Sequence, residues 1–261
     1  MADKVFVPKT SATQWDSYWQ KTNYQREMEL CQSDGLLPIF RKYLTKKPAI
    51  IEAGCCAGKW IIYFGKRGYN IVGVDNNLLA LKKLTGYYPA ARIKLGDVRQ
   101  LPFKPNSFAV YLSLGVVEHF IDGPQAVLVA AFRVLKPGGL AIVEVPFDNL
   151  IRRSRRWLRF IKPRKPAKFA REFYEYHYTK DELKKFMTQA GFVEAKFFPK
   201  DDLNPQKSIG LWLDWPGLRQ EINNPDFRLT IFGQRLKRFY NLFHLNWLYS
   251  ACVVCVARKP K

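Results

Sequence analysis

Ala49-Ile-Ile-Glu-Ala-Gly-Cys-Cys-Ala-Gly58 decides how this chain folds. Two isoleucines lead into Glu52, and the acid leads into a loop of small side chains. Lys59-Trp-Ile-Ile-Tyr-Phe-Gly-Lys-Arg67 then reads as helix. The pattern is a buried parallel strand turning tightly into a helix, with small residues where a ligand must approach the backbone. A second apolar run, Ile71-Val-Gly-Val74, closes on Asp75, 23 residues after Glu52. In nucleoside-binding α/β folds an acid about 20 residues on, at the end of the second strand, takes the ribose hydroxyls.

Glu52 separates two ligand classes. A dinucleotide brings its pyrophosphate to the helix N-terminus, where a carboxylate would repel it. S-adenosylmethionine carries an ammonium, a carboxylate and a sulfonium instead. An acid at the strand end complements the ammonium, and the helix amides complement the ligand's carboxylate. The stretch resembles motif I of the class I S-adenosylmethionine-dependent methyltransferases, an acid followed by Gly-x-Gly-x-Gly. Here it reads Glu52, Gly54, Cys56, Gly58, so the middle glycine is a cysteine. A Cβ and a sulfur at that position narrow the site or change the backbone angle, which implies weakened or adjusted cofactor binding.

The rest of the chain extends the pattern outward from this loop. Strand and helix alternate over 49–53, 58–67, 70–74, 77–86 and 91–95, which implies βαβ units and a parallel sheet. A fourth strand, Ala109 to Leu114, ends at Gly115-Val-Val-Glu-His-Phe120. A helix from Gly123 to Leu135 is closed by Lys136-Pro-Gly-Gly139, and Leu140 to Val145 reads as a fifth strand. Thr179 and Glu182 have capping-box spacing for a helix ended by Gly191. Phe192 to Phe198 then reads as a sixth strand, and Ser250 to Ala257 as a seventh, antiparallel one.

The order "LPF…SF…EHF…RVLKPGG" resembles the branch of this family that methylates small molecules, quinones and lipid-linked substrates, over residues 49 to 146. The resemblance implies an α/β, Rossmann-like seven-stranded methyltransferase sheet, mostly parallel with the last strand antiparallel and with helices on both faces. It implies S-adenosyl-L-methionine as cofactor, held by Glu52, Gly54, Cys56, Gly58, Asp75, Asn76, Asp97, Val98, Ser113, Leu114 and Gly115. In the family the acid after the third strand, here Asp97, meets the adenine amino group while the next amide reads the ring; otherwise Asp97 caps a turn. Residues 1–45 are expected to form an N-terminal helical lid. Residues 46–261 then form the methyltransferase domain, with a basic insert at about 148–172 and an aromatic-rich insert at about 200–248. Trp15 and Trp19 either close over the cleft or pack the helix to the domain, and aromatic stripes more often pack.

Composition bounds the partners. The chain has 261 residues, 48% of them apolar, enough for a full core in one large domain. No run of 18 apolar residues occurs, and the first residues lack the apolar stretch of a signal peptide. Five cysteines without framework spacing fit a reducing cytosol. Of the net charge of +21, ten basic groups fall within residues 151–171, which hold no acid. Leu150, Ile151, Trp157, Leu158 and Ile161 share one helical face there. A basic amphipathic helix suits an anionic membrane surface, so 150–168 reads as a peripheral membrane contact or as a lid helix packed on the domain. Nucleic acid is the weaker expectation, because the fourth strand lacks the Asn/Asp-Pro-Pro-Tyr pattern and no Pro-Cys nucleophile motif occurs. An RNA methyltransferase and a degenerate cofactor-binding scaffold protein are the alternatives.

Methyl transfer from a sulfonium needs alignment and an electron-rich acceptor more than an enzymic nucleophile. His119 is a candidate general base at the ligand edge of the sheet, against a purely structural histidine. His177, among Tyr174, Tyr176 and Tyr178, is a second candidate base, against a surface aromatic cluster. Related quinone O-methyltransferases carry Glu-x-x-Glu-His and bind a divalent metal; Gly115-Val-Val-Glu-His119 lacks the first acid, so no metal is expected. Cys252-Val-Val-Cys255 reads as buried small hydrophobes in a strand. The acceptor expected from the resemblance is a small or lipid-linked molecule methylated on oxygen or carbon.

Overall fold

The computed structural model describes residues 2–8, 22–150, 152–154, 171–200, 231–243, 245–248 and 250–261. Its centre is a seven-stranded sheet of β2 (Ile50–Ala53), β3 (Ile71–Asp75), β4 (Ile93–Leu95), β5 (Phe108–Leu114), β6 (Leu135–Pro146), β8 (Val193–Lys200) and β9 (Cys252–Arg258). Their spatial order is β4-β3-β2-β5-β6-β9-β8. The sheet is parallel except for β9, which pairs antiparallel with both β6 and β8. The order reverses between β2 and β5, so the loops after these two strands diverge and leave a crevice at the carboxyl edge.

Both faces are buried, and successive residues feed opposite layers. Ile51, Tyr111, Ala141 and Val143 face one core layer, covered by α5 (Gln125–Val134) and α6 (Lys180–Gln189). Ile50, Val110, Leu112 and Ile142 face the other, covered by α3 (Lys59–Gly65). Every residue of α3 from Trp60 to Phe64 is buried, which a one-faced helix could not achieve. Helix α2 (Leu37–Tyr43) supplies the second cover: the Phe40 ring meets Trp60 at 4.8 Å and Phe64 at 5.4 Å, both edge-to-face. The capping box expected at Thr179 and Glu182 is formed and starts α6.

Two features depart from the reading of the sequence. The helix ends at Val134, just before Lys136-Pro-Gly-Gly139 as expected, but these four residues also belong to β6, as an irregularity between the pairs Phe108–Leu135 and Val110–Leu140. Residues 3–8 form a strand, β1 (Asp3–Pro8), antiparallel to β7 (Arg171–His177) in a separate two-stranded sheet. Tyr176 donates its hydroxyl to the Ile121 carbonyl at 2.8 Å, tying this small sheet to the loop after β5. In the N-terminal region α1 (Tyr24–Ser33) and α2 are helical, while Trp15 and Trp19 lie outside the described residues. Apart from Leu150, the amphipathic face proposed for 150–168 also lies outside them, as does most of the 200–248 insert.

Candidate active site

Two cavities open side by side at the carboxyl edge of the sheet. The first, about 510 Å³, is lined by Glu52, Gly54, Cys56, Gly58, Leu114 and Gly115 together with groups from α1, β6, β7 and β8. The second, about 550 Å³, is lined by Asp75, Asn76, Leu78, Leu79, Asp97, Val98 and Phe120. Gly54, Cys56, Gly115 and His119 line both and form the threshold between them. Among the expected cofactor residues, only Ser113 lines neither: it is fully buried within β5.

The loop after β2 keeps a glycine-type backbone at all three motif positions. Gly54, Cys56 and Gly58 have φ of 78°, 50° and 74°. A Cβ on Gly54 would fall 2.4 Å from Val116 Cγ2, so the loop after β5 can close over it only when no side chain is present. Cys56 therefore adopts a left-handed conformation that favours glycine, at a cost of about 1 kcal/mol. Cys56 N–H donates to Asp75 Oδ2 at 2.8 Å, and Asn77 N–H donates to Asp75 Oδ1 at 2.8 Å. The Cys56 thiol also bonds to this carboxylate, which keeps remaining acceptor capacity for a ligand hydroxyl.

Glu52, next to last in β2, lines the first cavity, and only 5% of the residue is exposed. Its Oε2 has no hydrogen-bond partner among the described residues. Burial, reinforced by Asp75 and opposed by Lys59, pushes its carboxyl up to about 8. Lys59 does not neutralise it, because Lys59 Nζ donates instead to Asp34 Oδ2 at 2.8 Å. Lys200 Nζ in turn donates to Glu144 Oε1 at 2.8 Å and approaches Asp34 Oδ1 at 3.7 Å. Burial alone would raise the Asp34 carboxyl, but Lys200 and Lys59 outweigh it and hold it near 2. Lys59 and Lys200 are thus committed to Asp34 and Glu144, and the buried Glu52 oxygen offers an acceptor to an ammonium group.

The second cavity carries two acids, Asp75 and Asp97, beside an apolar stretch of its lining. Leu78 and Leu79, in the first turn of α4 (Leu78–Tyr87), are 49% and 56% exposed, and with Val98 and Phe120 they offer a slot for a flat ring. Neither leucine was singled out in the sequence, where both read as part of the helix pattern. Asp97 does cap a turn: its Oδ1 accepts from Arg99 N–H at 2.8 Å. Its carboxylate is also gripped by the Arg99 guanidinium, with Nη2 at 2.6 Å from Oδ2. An adenine amino group would have to share that carboxylate with Arg99.

His119 projects at the threshold. Its Nδ1 lies 2.7 Å from the Tyr174 carbonyl oxygen, which can only accept. The proton is therefore on Nδ1, and neutral His119 carries its lone pair on Nε2. Burial lowers its pKa, partly offset by the Tyr174 carbonyl and by Glu175. Glu118, His119 and Glu175 each place a ligating atom within 4.8 Å of the others. The strand β7 thereby restores an acid that Gly115-Val-Val-Glu-His119 lacks in sequence. His177 lines neither cavity; its Nε2 lies 2.9 Å from Glu175 Oε1, behind the cluster. Cys252 and Cys255 are buried, unbridged residues of β9, with Cys252 at the cavity wall.

Comparison with known proteins agrees with this geometry. Residues 51–143 match the methyltransferase domain family. A probable S-adenosylmethionine-dependent methyltransferase of Mycolicibacterium smegmatis is 31% identical over 97 residues, 37% of each chain. A ubiquinone/menaquinone biosynthesis C-methyltransferase of Ruegeria is 34% identical over 103 residues, 38% of this chain and 40% of the relative. The chain thus spans about two fifths of the length of these curated relatives. The crystal structure of an S-adenosylmethionine-dependent methyltransferase from Methanosarcina mazei superposes with a TM-score of 0.57 at 18% identity, over 86% of this chain and 98% of that one. Residues 51–143 are thus similar to a methyltransferase domain, and the sheet around them has the Rossmann-like methyltransferase fold. Among the described residues, no helix is long and apolar enough to cross a membrane.

Proposed function

We propose that the chain is an S-adenosylmethionine-dependent methyltransferase whose acceptor is a small or lipid-linked molecule that surrenders a proton from oxygen or from an acidic carbon. The observation that carries this reading is the unpartnered Glu52 oxygen, buried beside the Gly54–Cys56 cradle, with Asp75 across Cys56. A buried acceptor at one end and a hydrogen-bonded carboxylate at the other suit an ammonium and a ribose diol. They do not suit a pyrophosphate. Bound S-adenosylmethionine supplies an electrophilic methyl group on its sulfonium.

The chain's own residues account for the remaining chemistry. Glu52 takes the ammonium, Asp75 the ribose hydroxyls, and Leu78, Leu79, Val98 and Phe120 enclose the base. His119 Nε2 accepts the acceptor's proton, and Glu175 stabilises the imidazolium so formed. His177 fixes Glu175 from behind. The quinone chemistry in the Ruegeria relative's name falls within this acceptor class. Calorimetry with S-adenosylmethionine and with NAD tests the reading. One-to-one binding of the former, lost in Asp75→Ala, supports it, and selective binding of NAD overturns it. Transfer of labelled methyl from S-adenosylmethionine to quinol, phenol and lipid fractions then identifies the acceptor. Incorporation into RNA alone would contradict the acceptor class.

A further inference from the structure

We infer that the chain docks on an anionic lipid surface through the outward face of helix α7 (Ile231–Leu242). This inference goes beyond methyl transfer and does not depend on it. Ile231 is 71% exposed, Leu242 74% and Phe243, the next residue, 56%; Phe232 and Phe239 are also half exposed. At about 100° per residue, these five side chains and the exposed Arg235 and Arg238 fall within an arc of about 140°. A helix on a protein surface normally turns its apolar stripe inward and its charges outward. Here the stripe itself faces out, with two arginines set among the aliphatic side chains.

The composition of the face selects its occupant. Ile231, Leu242 and the phenylalanines suit the boundary between headgroups and acyl chains, and arginines beside them suit lipid phosphates. From Phe227 to the C-terminus the sequence holds seven Lys and Arg residues and no acid. A second copy of the chain would bring the same arginines, and a net charge of +21, against each other with no carboxylate on the face to meet them. A nucleic acid would use the arginines and the phenylalanines, but it would leave Ile231 and Leu242, the most exposed side chains of the face, in water, whereas a lipid boundary buries them.

Docking here would serve the acceptor side of the site. Helix α7 runs through the short turn Leu245–Leu248 into Ala251 and Cys252, which line the first cavity. Trp247 in that turn packs edge-on against Phe147 at 5.6 Å, and Lys180 Nζ lies 4.2 Å from its ring centroid. The Phe147 N–H donates to the Ala251 carbonyl at 2.8 Å. The turn after α7 is therefore fastened to the rim of the cavity where an acceptor would enter.

Vesicle co-sedimentation of the full chain tests the inference, using phosphatidylcholine vesicles with and without phosphatidylglycerol. The parent protein should bind the anionic vesicles and release them as salt is raised. The triple variant Ile231→Ser, Leu242→Ser, Phe243→Ser should lose at least tenfold in affinity. Arg235→Gln and Arg238→Gln should each lose about fivefold, on anionic vesicles only. Unchanged cofactor affinity and melting temperature in all variants would show that the fold persists, since these side chains are exposed. Vesicle binding that all the variants retain would overturn the inference, because another basic segment would then be responsible. A dimer dispersed by the triple variant, without vesicle binding, would assign the face to a second copy and equally overturn it.

Discussion

Replacing Glu52 by glutamine should make the protein more stable and unable to hold its cofactor. In the folded chain the carboxyl ionises near pH 8 rather than 4.5, chiefly because it is buried, with Asp75 adding to the shift and Lys59 opposing it. The folded state therefore keeps a proton that the unfolded state has already lost. Between those two values stability falls as pH rises, by up to about 1.4 kcal/mol per unit. At pH 7 the accumulated penalty is about 3 kcal/mol. Glutamine cannot ionise, so Glu52→Gln removes this penalty and should raise the melting temperature of the ligand-free protein by on the order of 6 °C at pH 7. The same penalty sets the pH dependence of binding. If the ammonium binds only the ionised carboxylate, affinity for S-adenosylmethionine should rise about fiftyfold from pH 6 to pH 8 and then level off. Titration calorimetry in buffers of different ionisation enthalpy should detect about 0.9 proton released per cofactor bound at pH 7. Scanning calorimetry of parent and variant gives the stability half. A Glu52→Gln protein with unchanged melting temperature and unchanged cofactor affinity would refute the reasoning.

Other consequences can be checked one residue at a time. Cys56→Gly relieves a left-handed cysteine at the threshold of the two cavities and should tighten cofactor binding by less than about tenfold, by equilibrium dialysis. A gain far larger would mean that Cys56 blocks the site, in favour of a degenerate binding protein. His119→Ala should lower kcat by about a hundredfold or more, with KM for the cofactor little changed. Because burial depresses the His119 pKa, the acid limb of the parent's kcat profile should lie below the ordinary histidine range. Glu175→Gln should move that limb lower still. Dialysis against EDTA should leave the rate intact. Loss restored by Mg²⁺ or Mn²⁺ would mean that Glu118, His119 and Glu175 ligate a cation instead of moving a proton.

The centre of the sheet was legible because β2, β3 and β5 are short apolar runs ended by an acid or a glycine. Ile50–Ala53, Ile71–Asp75 and Phe108–Leu114 are buried almost throughout, and such runs read clearly without knowledge of their neighbours. The antiparallel β9 followed from family resemblance rather than from its own residues. The pairing of β1 with β7 left no local trace: its partners, Asp3 and His177 among them, are far apart in the chain and share no turn. For the same reason Tyr174 appeared only as a member of an aromatic cluster and Glu175 not at all, and their approach to His119 emerged with the fold. The Asp34–Lys59 and Lys200–Glu144 pairs were illegible too, since sheet order alone brings α1, α3, β6 and β8 to one wall. Glu52 and Asp75 were readable because motif spacing fixes both within one βαβ unit. The commitment of Asp97 to Arg99 depends on a side-chain rotamer, which spacing does not encode.

The most direct measurement is a crystal structure of the protein grown with S-adenosylmethionine. The account predicts one cofactor across both cavities, its ammonium within hydrogen-bond distance of Glu52, its ribose on Asp75 and its base between Leu79 and Val98. A cofactor bound elsewhere, or one seated in this crevice with Glu52 and Asp75 on neither end, would contradict it.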